Sequence, residues 1–137
     1  MARQTFTAAQ VLTAAQMTSL QSNDFNQTVS TKTASYTLVV ADAGTKVVMN
    51  AGATNTTITV NTSIFTAGDT LTILNISTSG TCTITAGTAT VATAGNLALG
   101  LNQSGTLYFT SAGVSIFQAD DIASDNEQLV LSSQVFG

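Results

Sequence analysis

The chain has 137 residues and a net charge of −4, with no histidine, tryptophan or proline and one cysteine, Cys82. That length supports one domain of ordinary size plus an arm. The inventory excludes a Cys/His zinc site, a Ser-His or Cys-His dyad and an internal disulfide. Arg3, Lys32 and Lys46 are the only basic residues, too few to neutralise a row of phosphates, so no nucleic-acid partner is expected. From Thr70 through Ala119 there is no charged side chain at all. Low charge joined to high β-propensity is an aggregation hazard unless threonines keep the surface in solution or other subunits cover it.

No segment approaches the roughly 20 apolar residues of a membrane helix, so no membrane insertion is expected. The N-terminus carries one arginine, and its apolar residues are interrupted by glutamine and threonine, unlike a secretory signal. With one cysteine, a reducing compartment of synthesis is expected.

Residues 1–12 have no clear period. At Thr13 a helix start is predicted: Thr13 is a good N-cap, and Gln16 three residues on completes a capping box. Leu12 and Met17 stand at the two positions of a hydrophobic staple. Met17 and Leu20 then share a face, and Phe25 closes the segment. The expected helix runs from about Ala14 to Asn23. The same letters occur earlier as Thr7-Ala8-Ala9-Gln10, but without the staple. A helix this short is marginal alone in water and needs a surface to rest on. That surface is either its own domain or a neighbouring protein.

Residues 26–35 are polar and read as a linker or a first edge strand. Strands are then predicted at about 36–40, 46–50, 56–60, 70–76, 81–85, 88–92, 97–101, 106–110 and 114–118. Ile58 and Val60 alternate with Thr57 and Thr59, Leu71 and Ile73 with Thr70 and Thr72, and Cys82 and Ile84 with Thr81, Thr83 and Thr85. Period two puts the aliphatic residues on one face and the threonines on the other. Threonine is β-branched and polar, so it suits a strand facing water. Cys82 falls on the apolar face and reads as a buried small hydrophobe. Glycine turns separate the runs, as at Asp42-Ala43-Gly44, Ala67-Gly68-Asp69 and Ala112-Gly113. Leu97, Leu99 and Leu101 are expected on one face, and Tyr108, Phe109, Ile116 and Phe117 in the core. The expectation is a mostly β fold, an antiparallel β-sandwich or barrel with a short N-terminal helical arm. Strands this close leave no room for crossover helices, which excludes a parallel α/β design. The expected division is residues 1–26 as arm, 27–118 as the β domain, and 119–137 as an acidic turn with a C-terminal strand or tail.

In that last segment Asp120, Asp121, Asp125 and Glu127 crowd together before Leu129-Val130-Leu131. Carboxylates in a cluster can hold a hard cation, but the glycine and spacing of an EF-hand loop are missing. A solvated acidic turn is the expectation, with no metal and no cofactor.

At QVLTAAQM (Gln10–Met17) and VSTKTASYTLVVADAGTKVVMN (Val29–Asn50) the chain resembles small β-rich virion structural proteins of tailed bacteriophages. TITVNTSIFTAGDTLTILNI (Thr57–Ile76) and GTLYFTSAGVSIFQ (Gly105–Gln118) fit the same pattern. Ala9 stands where the pattern often has glycine, and Thr18 where it has asparagine. The resemblance covers most of residues 5–118; residues 119–137 lie outside it. It implies a fibre, minor tail or surface decoration protein, assembled in the bacterial host cytoplasm and located in the virion. Three copies are implied too, because such appendages are commonly trimeric.

An enzyme is the class least expected. Asp42 and Asp69 adjoin glycine in turns, where aspartate is ordinary, and no tryptophan platform accompanies them for a sugar. The alternative is a glycan-binding, host-recognition module using Tyr36, Tyr108 or loop asparagines. The expected function is a non-enzymatic virion component, self-associating and held to capsid or tail proteins by Val11, Leu12, Met17, Leu20 and Phe25.

Overall fold

The structure, a computed structural model, describes residues 7–25 and 27–120, with the backbone alone for residues 20–25. Helix α1 spans Ala14–Phe25. Ten strands follow: β1 Val29–Lys32, β2 Tyr36–Thr37, β3 Lys46–Met49, β4 Thr56–Val60, β5 Thr70–Asn75, β6 Cys82–Ala86, β7 Thr90–Thr93, β8 Ala98–Leu99, β9 Ser104–Ser111 and β10 Val114–Ala119. The polar stretch before Tyr36 does hold an edge strand, β1. The strand expected over 36–40 stops at Thr37, because Val40–Asp42 tightens into a 3₁₀ turn.

The fold is mostly β, as the alternation predicts, but it is not an antiparallel sandwich or barrel. β1, β3 and β5 lie side by side and parallel in a six-stranded sheet. β2, β4 and β6 do the same in a four-stranded sheet. Consecutive strands therefore alternate between sheets, and the chain winds as a β-solenoid. A parallel pair needs a crossover of a dozen residues or more, usually a helix. Here the opposite sheet supplies that crossover, so each strand pairs with the strand after next, as in Ile58 with Ile84. Asp42-Ala43-Gly44 and Ala67-Gly68-Asp69 are corners between sheets, whereas Ala112-Gly113 turns a hairpin.

The coil breaks at its far end. The β9–β10 hairpin inserts between β5 and β7, giving the order β5-β9-β10-β7. β5–β9, β9–β10 and β6–β8 are antiparallel, while β10–β7 is parallel. The antiparallel expectation holds only there.

The core lies between the sheets. Ile58, Val60, Cys82, Ile84 and Leu99 come from the smaller sheet, and Val47, Met49, Leu71, Ile73, Leu107, Phe109 and Phe117 from the larger. Phe65 stacks on Phe109 with ring centroids 4.3 Å apart, a contact that adds to area burial. Tyr108 and Ile116 are not in the core. A strand sends adjacent residues to opposite faces, so with Phe109 and Phe117 inside they face outward, about four-tenths exposed. Of the expected leucine row only Leu99 is buried; Leu101 is half exposed, in the turn after β8.

Side chains at the corners lock one coil to the next. Asn55 Oδ1 accepts the Thr81 N–H at 3.0 Å, 26 residues on. Asn61 Oδ1 accepts the Thr88 N–H at 3.0 Å, and Ser77 Oγ accepts the Ala51 N–H at 3.0 Å. Each satisfies a main-chain donor that the turn leaves unpaired.

Candidate functional site

The arm begins with two copies of Thr-Ala-Ala-Gln and treats them differently. At Thr13 the capping box forms in full: the Thr13 N–H donates to Gln16 Oε1 at 2.9 Å and the Gln16 N–H to Thr13 Oγ1 at 3.3 Å. The helix follows and runs two residues past the expected end. At Thr7 the N–H also donates to the glutamine, Gln10, at 3.0 Å. There Ala9 has φ 66°, a left-handed conformation that ends the turn before a helix can propagate.

Val11 is 83% exposed, Leu12 48% and Met17 47%. Helix α1 packs extensively on no strand among the described residues. Leu20 and Phe25 lie on the helix backbone, and their side chains are outside the described set. Of the five expected anchoring residues, three therefore present apolar surface to solvent.

The aspartates are occupied in turns. Asp42 is buried, and its carboxylate accepts the Val39 N–H at 2.8 Å and the Tyr36 hydroxyl at 3.1 Å. Asp69 accepts the Thr66 N–H at 2.8 Å and its hydroxyl at 3.1 Å. Asp120 is tied to Ser104 by its N–H, at 2.9 Å, and by its carboxylate. Asp121, Asp125, Glu127 and the run Leu129–Leu131 lie outside the described residues. Among the described residues no three His, Cys, Asp or Glu side chains gather as metal ligands would.

Of the residues named for a glycan contact, Tyr108 faces solvent, while Tyr36 and two of the asparagines are engaged within the fold. Tyr36 turns toward the first coil, its register partner being buried Ile58, and the Lys32 ammonium sits 3.8 Å from its ring centroid. Tyr36 is half-buried against the core, and the Lys32 charge lies over its ring. Asn55 and Asn61 are engaged at the corners. A shallow depression of about 400 Å³, lined by Ala94, Gly95 and Ile116 to Ala119, contains no charged side chain.

The smaller sheet presents threonines outward. Thr37, Thr59 and Thr85 stand in one register row and Thr57 and Thr83 in the next. The signal for this arrangement was readable in sequence: Thr57-Ile58-Thr59 recurs as Thr83-Ile84-Thr85, and recurrences of 20–50 residues mark stacked coils. No described helix is long and apolar enough to cross a membrane. The chain matches no protein-family model and no curated protein.

Proposed function

We propose that the chain is a non-enzymatic structural component of a tailed-phage virion, an oligomeric, surface-exposed β-rich projection on tail or capsid. The observation that carries this reading is the arm. A helix with its own capping box packs extensively on no strand among the described residues, with Met17 on it and Val11 and Leu12 before it exposed. A solenoid stacked by main-chain ladders and threonine corners supplies a stiff, neutral body for such a projection. Asp42 and Asp69 support the non-enzymatic part, because each is consumed in stabilising a turn.

Removal of residues 1–26 tests it. The truncated chain is expected to melt cooperatively as a β domain and no longer to co-purify with virions. An unfolded truncation, or one that still co-purifies, overturns the anchoring role. Hydrolysis of host polysaccharide by the intact chain, lost in Asp42→Asn or Asp69→Asn, would overturn the non-enzymatic reading.

A further inference from the structure

Among the described residues four strands stand at sheet edges: β1 and β7 in the larger sheet, β2 and β8 in the smaller. An edge offers unpaired N–H and C=O groups to any passing strand, and proteins blunt edges with short strands, charges or bulges. β2 and β8 have two residues each. β1 ends in Lys32, in register with buried Met49 and turned inward over Tyr36. β7 has none of these devices. It is four residues, Thr-Val-Ala-Thr, without charge, proline or glycine.

Its free backbone groups can be assigned. The Thr90 N–H donates to the Gly113 carbonyl at 2.9 Å. Thr90 and Ala92 therefore turn toward β10, and alternation points the N–H and C=O of Val91 and Thr93 out of the sheet. Among the described residues no strand pairs with β7 on that side.

We propose that β7 joins two copies of the chain, running antiparallel to β7 of a partner subunit about a two-fold axis. Val91 of each copy then faces Thr93 of the partner subunit as a hydrogen-bonded pair. Ala92 meets Ala92 of the partner subunit as the closer, non-hydrogen-bonded pair, where a small side chain fits. A second copy is favoured over another strand by charge. A two-fold contact brings one surface against its own copy, so any charge near the axis would face a like charge. β7 and β10 carry no charge, and the chain has none from Thr70 to Ala119. Ile116, in register with Ala92, and Val114 are exposed on the same face of the adjoining strand, which is uncharged there too. The closed pair leaves no second β7 edge to propagate a fibre.

This names the surface for the self-association in the reading above and replaces the implied trimer with a two-fold pair. It makes no use of the arm. Light scattering of the full chain tests it, with Ala92→Lys, Ala92→Asp and an equal mixture of the two. The native chain is expected to be a dimer at micromolar concentration. Each variant alone, its like charges directly opposed, is expected to weaken association about 100-fold with its far-ultraviolet dichroism unchanged. The mixture is expected to restore a dimer. Ala92→Asp carries the test alone should lysine disturb the fold. A native trimer indifferent to both variants overturns the edge contact and leaves the oligomer standing. A native monomer overturns both, while the anchoring role is judged separately by co-purification.

Discussion

The side-chain amide of Asn75 donates to the main-chain carbonyl of Leu99 over 2.8 Å, tying β5 to β8. The same amide donates to the Gly80 carbonyl at 2.9 Å, and Asn75 Oδ1 accepts the Ser77 N–H at 3.0 Å. The main chain of Asn75 adds bonds to Asn102 and Gln103. Asn75, Ser77, Gly80 and Leu99 are all buried, so water is no ready substitute in the three side-chain bonds. Asn75→Leu removes all three side-chain bonds and is expected to cost about 3 kcal/mol in urea unfolding. Asn75→Asp is expected to be no better at neutral pH, because a carboxylate would face two carbonyls with no proton to offer.

Two corner glycines are expected to differ sharply. A Cβ on Gly80 would lie 2.1 Å from the Thr54 carbonyl oxygen, a backbone atom that cannot step aside. A Cβ on Gly95 would meet nothing within 4 Å. Gly80→Ala is expected to lower stability by about 2 kcal/mol, and Gly95→Ala to leave it unchanged or slightly raised. Urea midpoints at constant slope decide between them.

Cys82 and Thr56 are register partners inside the coil. The Thr56 hydroxyl is buried beside the Cys82 thiol, a weak partner, and makes no well-formed hydrogen bond, so Thr56→Val, close in shape, is expected to raise stability by about 1 kcal/mol. Burial pushes the Cys82 thiol up, with the Thr56 hydroxyl acting the other way. The folded chain therefore keeps its thiol proton after the unfolded chain has lost it. Its contribution is complete below the ordinary thiol value of 9.0 and is lost as pH rises beyond it. A urea midpoint that falls above that pH in the native chain, and less in Cys82→Ala, is the expected result. A thiol reagent is expected to label Cys82 only on unfolding.

The cap of α1 can be removed without touching the solenoid. Thr13→Ala is expected to cost the helix about 1 kcal/mol and lower the helical signal, leaving the melting of the β domain in place. Equal losses in both signals would mean that the helix belongs to the core.

Much of the local structure was legible in the residues. Thr13 and Gln16 specify a helix start through two bonds three residues apart, and that start is where they place it. Alternation in Thr56–Val60 gives the strand and its buried face, because the pleat alone decides which side chains share a side. Alternation did not decide between Tyr108 and Phe109, or Ile116 and Phe117, where both neighbours are apolar and only the opposite sheet selects one.

What the sequence by itself determined is thus where strands lie, which face of most is apolar, and which chemistries are absent. The tertiary structure decided what each strand pairs with. Ile58 offers the same apolar face and the same ladder groups to a neighbour in a hairpin as to Ile84 a full coil away. Those local preferences are indifferent to strand direction, and a glycine corner can turn a chain back or carry it into the opposite sheet. The choice falls to the packing of whole coils: only stacking puts Asn55 against Thr81, Asn61 against Thr88 and Asn75 against Leu99.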